Sequence, residues 1–477
     1  MSDFPEGPPP EARPAATYAE VEDALLSRWP ESRLDPTLDR IAAFTDLLGD
    51  PQRAYPVIHL TGTNGKTSTA RMIETLVRAT GLRTGRFTSP HLQSMAERIV
   101  VDGQPLDDED FVRAFNDVAP FTHLVDAEAD HPLSFFETIV GMAFAAFADA
   151  PVDVAVVEVG MGGAWDATNV ADGQVAVITP IAVDHARYLG ATPVAIAHEK
   201  VGIIKPGATV VTADQEEAVA AVIAERCAEV GATLLREGVD FGVRSRVAAV
   251  GGQLVSLGGV RGEYDEVLVP LFGEHQAHNA ALALAAVEAF LGGTEPLADD
   301  VVKDAFAAVT SPGRLEVVRR SPTVLLDAAH NPHGAHALVA ALDDSFTFSP
   351  LVGVVGVMAD KDHEEILRIL EPHLAHLVCT QNSTPRSLPA AELAEVARGI
   401  FGHERVTETP VLTDAIEQAA TLAEAGGVFG EGIGSGGVLV TGSVVTVGEA
   451  RSLFRPPEVG QPEVDQAEDE QPEDEQR

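Results

Sequence analysis

The segment HLTGTNGKTSTARMI, residues 59–73, joins an apolar run to a glycine-rich turn and then to a helical pattern. Tyr55–Leu60 reads as a buried strand and Ser68–Thr80 as a helix stopped by Gly81. Between them lies Gly62-Thr63-Asn64-Gly65-Lys66-Thr67, where glycines let backbone N–H groups turn inward around phosphate oxygens and the helix N-terminus adds its positive end. In such a loop Lys66 reaches the β- and γ-phosphates and the Thr67 hydroxyl is a ligand for Mg²⁺. The consensus G-x-x-x-x-G-K-[ST] is incomplete, since Leu60 stands at its first glycine. The expectation is a nucleotide-binding loop, and the loop alone fixes no reaction.

Outward from the loop, β-branched runs alternate with amphipathic segments. A helix is predicted upstream from Leu38, Ile41, Ala42, Phe44 and Leu48, and strands from Asp153–Val159 and Val175–Pro180. This alternation predicts an α/β fold: a doubly wound, mainly parallel sheet built around a phosphate loop. Residues 240–271, broken by glycines, read as antiparallel hairpins, and 275–293 as an Ala-rich helix closed by Gly292-Gly293. A second, smaller Rossmann-like α/β block begins near Thr310. The expected organisation is a tail over 1–17, an ATP-binding domain over 18–311, a C-terminal domain over 312–455 and an acidic tail over 456–477.

Composition excludes several classes. The chain has 477 residues, 45% hydrophobic and 22% charged, as in a globular protein. With 73 acidic against 32 basic residues its formal charge is −41, unsuited to a nonspecific nucleic-acid binder. Two cysteines, Cys227 and Cys379, make neither a disulfide scaffold nor a thiolate zinc site. The proline-rich acidic N-terminus is no signal peptide, and no run of about 20 apolar residues spans a membrane. A cytoplasmic protein is expected.

Several residues beyond the loop could carry chemistry. Glu158 ends a strand beside the phosphate loop, where a Mg²⁺-binding acid belongs. Asp184-His185 follows another apolar strand. Lys200 lies in largely apolar company, which favours a neutral, reactive amine. Asp327 ends a strand before the turn Ala-Ala-His330-Asn331-Pro332, a pattern that suits a nucleotide-contacting turn. His330, His333 and His336 recur every third residue, a spacing that smears around a helix instead of converging on zinc.

The ordered motifs TGTNGKTS, FTSPHL, ERI, SFFE, GMGGAWDATN, DHARYLG, EKVGIIKPG, HQAHNA, SPGRLE, DAAHNP, MADKD and TGS resemble the folylpolyglutamate synthase/dihydrofolate synthase family of the Mur-ligase superfamily over about residues 20–455. The resemblance implies an ATP-dependent ligase that phosphorylates a carboxylate of dihydropteroate or of a folate and couples it to L-glutamate. It places Gly62, Thr63, Asn64, Gly65, Lys66 and Thr67 around ATP, together with Asn279, Arg314, Asp327 and His330. It gives Mg²⁺ to Thr67, Ser89, Glu158, His185 and Lys200, the last as the lysine that the family carbamylates into a group orienting the metal site, and puts Lys66, His185 and Lys200 at the chemistry. Leu38, Asp39, Arg40, Phe135, Phe136, Glu137, Trp165, Asp166 and Ala167 would line the pterin or pteroate side, and Ser443 the glutamate side. The implied protein is a monomer with small-molecule partners only: ATP, L-glutamate, and dihydropteroate or tetrahydrofolate.

One position departs from the family pattern: G-x-G-G-R is usual before D-A-T-N, and Ala164 stands where the arginine would. Arginine is a bidentate anion clamp that alanine cannot replace; Arg187 is the nearest candidate to compensate. Ala164 is the one feature that favours a degenerate nucleotide- or folate-binding relative. A Mur-type cell-wall ligase is disfavoured, because only 61 residues precede Gly62, too few for the UDP-sugar domain of those enzymes.

Overall fold

The computed structural model describes residues 14–30, 35–425 and 436–455. Its first sheet contains β1 (Val57–Thr61), β2 (Thr84–Phe87), β3 (Ile99–Val101), β4 (Gln104–Pro105), β5 (Val154–Glu158), β6 (Gly173–Ile178), β7 (Thr209–Thr212) and β8 (Thr233–Arg236). The spatial order is β4-β3-β2-β5-β1-β6-β7-β8. Pairing is parallel from β2 to β8, and only β3 and β4 join antiparallel at one edge. All five residues of β1 and of β5 are buried, as expected for strands covered on both faces. Because β1 lies between β5 and β6, the loops leaving these three strands share the carboxyl edge of the sheet, where ligands bind in doubly wound folds.

The helix after the phosphate loop runs Lys66–Ala79, two residues earlier than the sequence pattern suggested. It packs against the Ala-rich helix Glu274–Leu291, whose small side chains let the two approach closely, and both join one hydrophobic core with β1, β5 and β6. That core also takes in the inner face of an antiparallel sheet of β9 (Gly242–Ala249), β10 (Gly252–Gly258) and β11 (Glu263–Val269), the hairpin region foreseen for 240–271. A separate core on the other sheet face holds helices Tyr18–Leu26, Asp39–Leu47, Asp108–Glu128 and Phe135–Asp149.

The remaining strands are β12 (Glu316–Arg320), β13 (Thr323–Asp327), β14 (Leu351–Val355), β15 (His376–Cys379), β16 (Val406–Glu408) and β17 (Gly437–Thr441). They form a second sheet, ordered β12-β13-β17-β14-β15-β16, in which only the β12–β13 pair is antiparallel.

One expectation fails at the N-terminus. Ala15 exchanges two hydrogen bonds with the Asn116 amide, at 2.9 and 2.8 Å, and Thr17 caps helix Tyr18–Leu26, so 14–17 belong to the folded body and not to a tail. Residues 1–13 and the expected tail over 456–477 lie outside the described residues. Among the described residues no helix is long and apolar enough to cross a membrane.

Candidate active site

The phosphate loop is shaped by two glycines. Gly62 (φ 146°) runs so close to Thr179 that a Cβ would sit 1.8 Å from the Thr179 hydroxyl, and Gly65 (φ 89°) leaves no room for one beside Asn279 Oδ1 at 2.7 Å. The loop is tethered to the β6 edge: Thr63 N donates to Pro180 O (2.9 Å), and its hydroxyl donates to Ala182 O (2.9 Å). Lys66 Nζ folds back on its own loop, donating to Gly62 O and Thr63 O at 3.2 Å each. Desolvation lowers its pKa, partly offset by the charge of Glu158.

At the end of β5, Glu158 is 1% exposed. Its carboxylate accepts the Thr67 hydroxyl at 3.0 Å from both oxygens and the Ser89 backbone N–H at 3.3 Å. Burial pushes its pKa up, opposed first by Lys66. Thr67, Ser89 and Glu158, three of the expected Mg²⁺ residues, are therefore brought together.

Lys200 ends helix Pro193–Lys200 and reaches under the loop, its buried Nζ donating to Gly62 O at 2.7 Å. Burial, reinforced by the nearby Lys66 charge, brings its pKa down to about 7, so a large fraction of the amine is neutral at physiological pH. His185, in left-handed backbone geometry (φ 49°), is held neutral by burial with a pKa of about 4. Its Nε2 lies 4.0 Å from its neighbour Asp184.

Asp184, which the sequence marked only as the neighbour of His185 and gave no role, connects the two sheets. It accepts Lys361 Nζ at 2.7 Å and Asn331 Nδ2 at 3.0 Å, with His330 Nε2 at 3.5 Å. These neighbours hold its carboxyl far below the usual range despite burial. Asn331 also exchanges amide hydrogen bonds with Asn64 of the phosphate loop, at 3.1 and 3.2 Å, and caps helix Pro332–Ser345 through Gly334 N. The turn after β13 is thereby docked on the phosphate loop. Lys361 falls in the MADKD motif and is one of only five lysines in the chain, three of which (66, 200 and 361) converge here. That scarcity in an acidic sequence was the available signal for Lys361.

A cleft of about 820 Å³, open to solvent, lies between the sheets. It is lined by Thr63–Ser68, Ser89 and Glu158 on one side and by Arg314, Asp327 and His330 on the other. Asn279 forms part of its floor with Gln276 and His275, two residues the sequence reading did not select. Asp327 is committed locally: its two oxygens accept Leu315 N and Ala329 N, both at 2.9 Å, fixing the linker that carries Arg314.

The residues expected on the pterin side fall in several settings. Leu38, Phe135, Phe136 and Ala167 share one hydrophobic cluster. Glu137, however, closes a capping box with Ser134 and pairs with Arg40 at 3.1 Å. Asp166 is 3% exposed and staples its own loop, accepting Met161 N (2.9 Å), Thr168 N (3.0 Å) and the Thr168 hydroxyl (2.5 Å). Each oxygen of both carboxylates already accepts at least one hydrogen bond. Asp39 is exposed in the first turn of its helix, and Trp165 is half-buried against Gly162. Ser443, expected on the glutamate side, caps helix Val444–Ser452 by accepting Val445 N at 3.2 Å.

Residues 60–287 match the Mur ligase middle domain and residues 313–444 the glutamate ligase domain of Mur ligases. The chain is 50% identical over 463 residues to the dihydrofolate synthase/folylpolyglutamate synthase of Mycobacterium tuberculosis, covering 93% of this chain and 95% of that protein. The chain belongs to the folylpolyglutamate synthase/dihydrofolate synthase family. Its structure superposes on the M. tuberculosis folylpolyglutamate synthase complexed with ADP with a TM-score of 0.89 at 50% identity, over 92% of this chain and 99% of that one. The Escherichia coli FolC complex with DHPP and ADP superposes with a TM-score of 0.79 at 28% identity, over 93% and 98% of the two chains.

Against that family pattern Ala164 gains a concrete setting. It is exposed, its N–H donating to Glu199 O at 3.0 Å and its carbonyl accepting from Asn169 Nδ2 at 3.0 Å. The backbone is thus fixed next to Lys200, with the Ala164 Cβ close against Gly202 and the residue itself exposed. The guanidinium of Arg187, the candidate to compensate, lies over the ring of Tyr188, 5.5 Å from the centroid. Ala164→Arg is expected to raise kcat/KM about 3- to 10-fold by adding one charge-assisted contact to an anionic substrate. Steady-state kinetics with the folate acceptor check this, and an unchanged or lower value contradicts it.

Proposed function

We propose that this chain is an ATP-dependent acid–amino-acid ligase that adds L-glutamate to tetrahydrofolates and also to dihydropteroate. The observation that carries the reading is the meeting, in one cleft, of the Lys66 loop, the Thr67–Glu158 pair and the Arg314–His330 edge of the second sheet. In this reaction a carboxylate oxygen attacks the γ-phosphorus and ADP leaves with the bridging electrons. The glutamate amine then attacks the acyl phosphate carbon and phosphate departs as the amide forms. Two anions must meet in the first step, so the concentrated charge of Lys66 and Arg314 offsets their repulsion. The pterin end would lie against the cluster of Leu38, Phe135, Phe136 and Ala167. Monomeric state and cytoplasmic location complete the proposal.

The donor set suits Mg²⁺, a hard cation that takes oxygen ligands and keeps water or phosphate in the remaining positions. Thr67, Ser89 and Glu158 would hold it, with neutral His185 and Lys200 behind. Among the described residues no three His, Cys, Asp or Glu side chains converge as a self-sufficient cage, consistent with an ion completed by nucleotide oxygens. Bound there, the ion neutralises charge between the phosphates. Lys200 has the half-neutral amine that carbamylation requires: the amine nitrogen bonds to the carbon of CO₂ and releases a proton, giving a carboxylate beside the loop. Excess chelator is expected to abolish turnover, restored by Mg²⁺; appreciable activity in chelator contradicts the assignment.

ADP release measured with ATP, Mg²⁺, L-glutamate and either acceptor tests the function. Release with both dihydropteroate and tetrahydrofolate supports a bifunctional enzyme, and release with tetrahydrofolate alone restricts it to chain extension. Release with neither favours the degenerate binding relative that Ala164 suggests.

A further inference from the structure

The C-terminal helix meets the loop that carries Ser89 at a contact made by backbone and by residues outside the cleft. Residues 88–94, the loop that carries Ser89, are fixed by Glu97: its carboxylate accepts the backbone N–H groups of Leu92 (2.8 Å), Gln93 (2.9 Å) and Ser94 (2.9 Å). The loop is a stiff post with the Leu92 carbonyl at its top. Facing it is helix Val444–Ser452, whose first residue lines the cleft.

The helix meets that carbonyl at Gly448. A Cβ at this position would fall 1.8 Å from Leu92 O and 2.9 Å from Leu92 C, both backbone atoms that cannot rotate away. Around the contact, Gln93 Nε2 donates to Ser452 Oγ (2.9 Å) and to Arg455 O (3.1 Å), and Gln93 Oε1 accepts from Arg451. Arg451 is itself paired with Glu316 at 3.0 Å, next to the linker that carries Arg314. The Leu92–Gly448 seat is therefore mechanically continuous with both walls of the cleft.

We propose that Gly448 is a positioning residue for the ligase reaction: its missing side chain lets the C-terminal helix sit directly on the Leu92 carbonyl, setting the closed separation between the phosphate loop and the Arg314–His330 edge. Glycine is otherwise a poor choice in the middle of a helix, so the close approach gives it a reason to be there. A methyl group at 448 would force the two bodies apart by about an ångström, a displacement that can cost up to about 100-fold in rate when reacting groups must align across a cleft. The kinetic part of this inference rests on the proposed ligase activity; the docking part does not.

The test compares Gly448→Ala with Gly399→Ala, a matched change in helix Ala390–Phe401 where a Cβ meets nothing within 4 Å. Expected for Gly448→Ala is a 10- to 100-fold loss of kcat/KM, carried mainly by kcat, in a protein that still shows a cooperative unfolding transition. Hydrogen exchange should quicken in 88–94, 444–455 and 327–334 and stay unchanged elsewhere. Gly399→Ala should match wild type in kinetics and exchange, with an unfolding temperature equal to or slightly above it, since alanine is the better helix former. Gln93→Ala, which removes the flanking hydrogen bonds and adds no bulk, should move exchange in the same segments in the same direction. A Gly448→Ala protein with wild-type kcat and wild-type exchange overturns the proposal, as does unchanged exchange in Gln93→Ala if Gly448→Ala does not fold. If wild type itself releases no ADP, the ligase reading fails, while the exchange comparison still decides whether Gly448 sets the docking.

Discussion

Lys66→Met is expected to lower kcat/KM for acceptor-dependent ADP release about a thousandfold, equivalent to ~4 kcal/mol of transition-state stabilisation. Lys66 heads its helix on the carboxyl edge of the sheet, and its Nζ bonds only to carbonyls of its own loop, Gly62 O and Thr63 O at 3.2 Å. Those neutral acceptors hold the ammonium in place without neutralising it, so its charge stays available to phosphate. The residue lines the cleft together with Glu158 and Arg314. Methionine keeps the length and apolar stem and removes the charge, so the fold should survive; circular dichroism and the unfolding midpoint verify that. A loss smaller than tenfold in a folded variant would mean that Lys66 does not face the transferring phosphate.

The second large effect is expected at Lys200. Lys200→Met should reduce kcat by about 100- to 1,000-fold, and Lys200→Arg should fail to rescue it. The reasoning rests on burial: Lys200 is 4% exposed, bonded to Gly62 O at 2.7 Å, and its pKa is brought down to about 7. An amine in that state is a nucleophile toward CO₂, whereas a guanidinium stays charged and unreactive. Mass spectrometry of the wild-type protein prepared with bicarbonate should find one CO₂ added at Lys200, lost on acidification. If Lys200→Arg retains wild-type activity, Lys200 acts only as a cation.

The phosphate loop was legible because its determinants are local. A buried strand, two glycines, Lys66 and a helix occupy the 23 consecutive residues 57–79, and nothing distant was needed to read them. The hairpins of β9–β11 were legible for the same reason. The docking of the second sheet was not, since Asp184 meets Asn331 and Lys361 across separations of 147 and 177 residues. Nor does a motif distinguish a carboxylate that faces a ligand from one that braces the chain. Ser134-Phe-Phe-Glu137 is an S-x-x-E capping pattern, and Asp166-Ala-Thr168 places a hydroxyl and an N–H two residues after an aspartate. Both were expected on the substrate side, and in the structure both make local hydrogen bonds that brace the chain. Gly448 carried no sequence signal at all, because its constraint is the Leu92 carbonyl, in the distant loop that carries Ser89.

The most direct measurement follows oxygen. Acceptor labelled with ¹⁸O in its reacting carboxylate is turned over with ATP, Mg²⁺ and L-glutamate, and the released phosphate is analysed by mass spectrometry. Attack of the carboxylate on the γ-phosphorus predicts that one labelled oxygen enters inorganic phosphate for each amide formed, with ADP unlabelled. Label found in AMP, or unlabelled phosphate alongside amide product, would contradict acyl-phosphate ligation at this cleft.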